Sequence, residues 1–266
     1  MATNGVLRVD KSVGYTVKDI ITPVEEAICW TPRESDSESL SQEAVKIGVT
    51  FLPVKQHGRI VGTVRHDCLN EKDIEPLTSD WLVAADTPIL HLIELFANNP
   101  NRIFFVLQSS KIIGLVAPAD INKVAARASL YMLTANFEAG LAHLIHEHFG
   151  DDEEGLSKRL PPDRLEKLRK EQADARKRDI NLGLAHYLYL TDLTSIVAGD
   201  AGLRERFGVK SKSAALKKLS ISTLRNAVSH LTSRVVITAN DLKVLNDQCD
   251  RLVECSECLR ESVQRV

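Results

Sequence analysis

Three side chains of complementary chemistry fall close together in the run Leu224-Arg225-Asn226-Ala227-Val228-Ser229-His230. A histidine takes or gives a proton near neutral pH, a guanidinium stabilises a charged phosphate, and a carboxamide orients either group. On a helix, Asn226 and His230 share one face. Arg225 is rotated roughly 140° from His230, at about 100° per residue, and its long side chain reaches back along the helix edge. The same residues also have a plainer use. A histidine at a helix end is favoured by the dipole, and Arg225 can pair with an acidic neighbour on another helix.

Elsewhere the chain offers scattered candidates. An ionised Asp120 accepts only, so it can take hydrogen bonds from two neighbouring hydroxyls, or it can cap the helix that begins at Ile121-Asn122-Lys123-Val124. Arg65 and Arg102 can neutralise phosphates or serve as plain surface arginines. His143, His146, Glu147 and His148 precede the acidic run Asp151-Asp152-Glu153-Glu154. His143 shares a helical face with His146 or Glu147, but His148 does not line up with His146 and no matching ligand set stands elsewhere, so no metal site is assigned. Cys255 and Cys258 form a CxxC inside a long helical stretch without a second pair, and the five cysteines read as reduced thiols.

The elements that must position these residues begin with an internal repeat. At an offset of 52, Val54-Lys55-Gln56-His57-Gly58-Arg59-Ile60-Val61-Gly62-Thr63-Val64 falls over Val106-Leu107-Gln108-Ser109-Ser110-Lys111-Ile112-Ile113-Gly114-Leu115-Val116. Each copy reads strand, tight turn, strand. A helical stretch precedes each hairpin, Ser37 to Ile47 and Pro88 to Ala97, and a short apolar strand precedes each helix, Ala27 to Trp30 and Trp81 to Ala84. One such unit cannot bury both of its faces, so the two copies are expected to pack together.

Over roughly Val13 to Ala126 these residues resemble tandem CBS domains. Such modules end their last strand with Gly-hydrophobic-x-Thr-x-x-Asp, whose Asp holds a ribose diol in many adenosine-nucleotide complexes. The second copy, Gly114-Leu115-Val116-Ala117-Pro118-Ala119-Asp120, keeps the glycine and Asp120 with Ala117 in the threonine slot. The first copy, Gly62-Thr63-Val64-Arg65-His66-Asp67-Cys68, has Arg65 and Cys68 in the Thr and Asp slots. The resemblance therefore implies one nucleoside site, at Asp120, with Arg65 and Arg102 toward phosphate. A module that acts only as a dimerising scaffold is the other use it implies.

Beyond Asp120, apolar residues recur at helical spacing from Ile121 to Phe149, a helix of about 43 Å at ~1.5 Å per residue, which Gly140 is placed to kink and Gly150 to end. The charged segment Pro162 to Lys177 reads as an exposed helix or an ordered insertion, and further main helices are expected at Ile180 to Ala198, Ser213 to Leu231, and Asn240 to Val263 with Thr238 or Asn240 as its cap. Four main helices of these lengths suit an antiparallel bundle. Over Leu130 to Val263 the chain resembles HEPN domains: Arg225-Asn226 with His230 matches their Arg-Asn-x-x-x-His form, and Phe137-Glu138-Ala139-Gly140-Leu141 resembles their first-helix pattern. That resemblance implies metal-independent RNA cleavage through the 2′-hydroxyl, with Arg225, Asn226 and His230 as catalytic residues and a cleft shared by two copies. Many HEPN domains are instead non-catalytic.

The expected fold class is an α+β N-terminal tandem CBS module followed by an all-α antiparallel four-helix-type HEPN bundle, joined by a long helix. Residues 1–126 form the first domain (repeats at about 13–70 and 71–126) and 127–266 the second, with a charged insertion at about 151–178. Composition agrees with a folded globular chain, at 44% hydrophobic and 26% charged residues. Charge is unevenly spread: net −4 through Ala125 and +2 beyond it, with nine basic against four acidic residues in Lys158 to Arg178 and seven against one in Arg204 to Arg225. Such segments suit phosphate backbones or a solvated helix face. No apolar run approaches the ~20 residues of a membrane span and no secretory leader is legible, so the expectation is a cytoplasmic protein. The expected partners are a second copy of the chain, an adenine nucleotide (AMP-, ADP- or ATP-like) as effector, and RNA as substrate, with no required cofactor, no membrane and no sequence-specific DNA. Stress or defence signalling is a role suggested by the families alone. A silent scaffolding dimer, or one half of a toxin and antitoxin pair, are the competing readings.

Overall fold

The computed structural model describes residues 10–150, 153–229 and 234–264. The chain divides into two compact units, one comprising Gly14–Ser129 with Arg234–Asn246, the other Met1–Val13, Leu130–Ser233 and Asp247–Val266. The return of Arg234–Asn246 to the unit that holds the repeats leaves no mark in composition or periodicity.

In the first unit, the elements are β1 (Thr22–Pro23), α1 (Ser37–Ile47), β2 (Phe51–Gln56), β3 (Arg59–Arg65), β4 (Glu75–Pro76), β5 (Leu82–Ala84), α2 (Ile89–Asn98), β6 (Phe104–Gln108) and β7 (Lys111–Val116). The repeat read from sequence is a repeat in space. Both hairpins, β2–β3 and β6–β7, change register at equivalent positions, between Val54 and Lys55 and between Val106 and Leu107. Both turns open on a residue at positive φ, His57 at 49° and Ser109 at 56°, the backbone a tight hairpin requires. The strand expected at Ala27 to Trp30 shrinks to one parallel bridge, Trp30 against Val54, because a turn begins at Thr31.

Each copy completes its sheet with a strand from before the other. β1, ahead of the first copy, pairs antiparallel with β7, and β4, ahead of the second, pairs with β3. The resulting sheets run β1-β7-β6-β5 and β2-β3-β4. At the crossing points Pro23 faces Gly114 and Pro76 faces Gly62. A Cβ on Gly114 would stand 2.6 Å from the Thr22 carbonyl oxygen, and one on Gly62 would collide with the Glu75 carbonyl. The glycine shared by the two copies is thus a demand of strand exchange. Burial is unequal: α2 buries Ile89, Leu90, Leu92, Ile93 and Phe96, whereas α1 buries only Ala44. At ~1.5–3 kcal/mol per buried large side chain, α2 anchors this unit far more than α1.

The second unit is helical. Its elements are α3 (Val124–Phe149), α4 (Glu153–Ser157), α5 (Pro162–Arg176), α6 (Leu190–Gly199), α7 (Ala201–Arg206), α8 (Lys212–Lys218), α9 (Ser222–Ser229) and α10 (Ala239–Gln264), with the unit boundary falling inside α3 and α10. Several expected boundaries move. The helix expected from Ile121 is broken at Lys123, extended at ψ 154°, where a 3-10 turn over Pro118–Asn122 hands over to α3. The helix expected over Ser213 to Leu231 is two, α8 and α9, and that expected from Ile180 starts at Leu190. Gly140 does not interrupt α3; it admits α10 instead, since a Cβ there would stand 2.9 Å from the Leu259 side chain. The charged segment is packed, not appended: Leu168 of α5 is fully buried, and Arg164 pairs with Asp192 of α6 at 2.8 Å. Among the described residues, no helix is long and apolar enough to cross a membrane.

Candidate ligand-binding cleft and the Arg225 helix

The repeat brings equivalent loops together. Gly48 and Val49, which follow α1, correspond at the 52-residue offset to Pro100 and Asn101, which follow α2. Both loops line one cleft of about 500 Å³ within the first unit. The stretch after β7 (Ala117, Pro118, Ala119, Asn122) forms a further wall, and the returning segment another, through Arg234 and Val236 to Ala239.

Asn122 secures that last wall. Its Oδ1 accepts the backbone amides of Val235 at 2.8 Å and Val236 at 3.1 Å, while Nδ2 donates to the Val236 carbonyl at 2.8 Å and the Ala119 carbonyl at 3.2 Å. Both faces of the carboxamide are therefore in use, the condition for holding a partly buried backbone in place. Asp241 then caps the start of α10 by accepting the amides of Ile237 and Thr238, and Thr238 Oγ1 accepts the Asp241 amide. Among the described lining residues, Arg234 carries the only charge.

Of the three residues that the sequence offers for the ligand, only Asp120 adjoins the lining of this cleft in the chain, next to Ala119. Asp120 stands in the 3-10 turn beside it, with Oδ2 accepting the Ala117 amide at 2.7 Å and Oδ1 paired with Lys123 at 2.9 Å. Its carboxylate closes the turn that it belongs to, as an N3 acid and not as the first cap of α3. Arg65 is exposed and held by Asp67 through two contacts of 3.0 and 2.8 Å, which keep its guanidinium more basic than usual. Arg102 donates to the Asp80 carbonyl at 3.1 Å and lies 4.7 Å over the Trp81 ring. Neither arginine lines the cleft.

In the helical unit, α9 buries Leu224 and Val228 and presents Arg225 and Asn226 to solvent. Arg225 Nε lies 3.2 Å from Glu138 Oε1 on α3, the acidic partner that a structural use of Arg225 requires. His230 lies outside the described residues. Arg225 and Asn226 are therefore adjacent and outward, with the guanidinium oriented by Glu138.

The remaining clusters have structural uses. His143 Nε2 stands 3.2 Å from Glu147 Oε1, and His146 meets His186, a residue the sequence reading passed over, with ring centroids 5.8 Å apart. His148 and Arg159 both reach Asp200, at 3.3 and 2.8 Å. Among the described residues, no group of three or more metal-ligating side chains is gathered. Burial pushes the Cys255 thiol up to about 12, and Cys255 is 1% exposed, so the CxxC does not present a thiolate pair.

No family model matches the chain, and no curated protein matches it significantly. Solved CBS-domain structures do resemble part of it. CBSX2 in complex with AMP is 24% identical, covering 45% of this chain and 98% of its own, with a TM-score of 0.35. CBSX2 from Arabidopsis thaliana is 22% identical over 45% and 97%, also at 0.35. A CBS-domain pair with bound AMP from Klebsiella pneumoniae is 15% identical over 40% and 94%, at 0.32.

Proposed function

We propose that this chain is a nucleotide-responsive sensor and effector: a CBS-type pair takes an adenosine-type nucleotide in its cleft, and a HEPN-type helical domain cuts RNA under its control. The observation that carries the sensing half is the meeting of the two equivalent loops and the post-β7 turn around one cleft whose lining, among the described residues, includes an arginine and no carboxylate. Asp120, in the turn beside that cleft, is assigned to the ribose diol, since a carboxylate oxygen accepts more than the one contact that Ala117 or Lys123 makes to each. Calorimetric titration of the full chain with AMP, ADP and ATP tests this half. Saturable binding supports it, and its absence with all three removes it.

The effector half rests on Arg225, Asn226 and His230. In the proposed reaction the 2′-oxygen attacks phosphorus while His230 accepts its proton; the bond to the 5′-oxygen breaks and that oxygen takes a proton from the partner motif's histidine. The products are a 2′,3′-cyclic phosphate and a 5′-hydroxyl. Arg225 stabilises the phosphorane charge and Asn226 orients the reacting groups, so the chemistry needs no metal. Two motifs in one cleft require a homodimer, which sedimentation equilibrium tests: a 29.5 kDa monomer with and without nucleotide removes the composite site.

The Arg225–Glu138 ion pair favours a second reading, a catalytically silent dimer that passes the nucleotide signal to a protein partner. Glu138 occupies the guanidinium that the first reading assigns to phosphate.

A further inference from the structure

The cleft is completed by chain that lies far beyond the repeats. Asn122 and Val236 are 114 positions apart, yet the carboxamide of one holds the backbone amide and carbonyl of the other. Val236 is buried at 6% exposure, so the clamp fixes the chain two residues from Arg234, whose exposed side chain lines the cleft. Arg65 is committed to Asp67, and Arg102 to the Asp80 carbonyl and the Trp81 ring. No acidic side chain lines the cleft among the described residues. Its volume of about 500 Å³ falls within the ~300–1,000 Å³ usual for small-molecule sites.

We infer that Arg234 binds the phosphate of the nucleotide, and that the Asn122-held segment over 234–238 is an integral wall of the ligand site. This rests on the nucleotide-sensing reading and deepens it, by giving the phosphate contact to a residue outside both repeats. Coupling follows from linkage: a ligand held by Arg234 stabilises the clamped segment, and the clamp in turn tightens the ligand by the same factor. The clamped segment begins four positions beyond His230 in the chain.

The test titrates the full chain with AMP and with adenosine, as wild type, Arg234→Met, Arg234→Lys and Asn122→Ala. Arg234→Met is expected to weaken AMP about tenfold or more, the effect of losing a charge-assisted hydrogen bond, with adenosine affinity unchanged. Arg234→Lys should recover part of the loss. Asn122→Ala should weaken AMP as well, and add little to Arg234→Met, because the two act through one contact. Unchanged AMP affinity in Arg234→Met, or an equal loss for AMP and adenosine, overturns the inference and leaves nucleotide sensing standing. Failure of the wild type to bind AMP, ADP or ATP overturns both.

Discussion

Asn122 grips Val236 from both sides, accepting its amide at 3.1 Å and donating to its carbonyl at 2.8 Å. A single side chain thereby does for two distant segments what a strand ladder does for neighbours, and it keeps the returning chain at the cleft. Asn122→Ala should cost about 1–3 kcal/mol, since it leaves partly buried backbone groups of Val235 and Val236 without their partner. Urea denaturation measures the loss, and faster hydrogen exchange at the Val235 and Val236 amides localises it. Unchanged exchange there would show that the clamp does not hold in solution.

Strand exchange between the repeats predicts an unusual sensitivity to the smallest possible substitution. Gly114→Ala and Gly62→Ala each place a methyl group against a carbonyl of the exchanged strand, and each should destabilise by about 1–3 kcal/mol. Gly199→Ala is the control, with nothing within 4 Å of its Cβ; its effect should be neutral or stabilising. Thermal melts of the three variants distinguish the outcomes.

Asp200 gives the helical unit an acid dependence. Burial alone would raise its carboxyl, but the Leu203 amide with His148 and Arg159 outweighs that and holds it below the ordinary 3.8. The folded state thus keeps this group ionised where the unfolded chain takes up a proton. Its stabilisation is fully present above pH 3.8 and is lost as pH falls through the lower folded value. Asp200→Asn should flatten that part of the pH profile and cost about 1–3 kcal/mol at neutral pH. Denaturation midpoints taken across the acid range provide the check.

The repeat is legible in sequence because both copies keep the hairpin, its turn and the glycine that exchange requires, all local features with a fixed offset. The exchanged strands are not legible: β1 and β4 have two residues each, too few to show alternation. The α8–α9 break falls at Leu219-Ser220-Ile221, where no glycine or proline marks it and where burial of Leu219 and Ile221 decides the path. Arg234 is not legible for a different reason. Nothing in a linear reading joins it to Asn122, whereas Arg65 and Arg102 stand beside the repeat motif and draw attention that their actual partners, Asp67 and Trp81, do not support.

Control of RNA cleavage at the Arg225 helix by nucleotide in the cleft is measured by incubating the purified chain with end-labelled RNA in EDTA, with and without AMP, ADP or ATP. The expected result is cleavage whose rate changes with nucleotide, products ending in a 2′,3′-cyclic phosphate, and no cut where the substrate carries a 2′-deoxy position. His230→Ala and Arg225→Ala should each lower the rate about 10²–10⁴-fold, while Glu138→Gln, which breaks a half-exposed ion pair, should change stability by no more than about 1 kcal/mol. RNA left intact under every nucleotide condition, or cut equally well by wild type and His230→Ala, rules out nucleotide-controlled cleavage and leaves the silent regulatory dimer in its place.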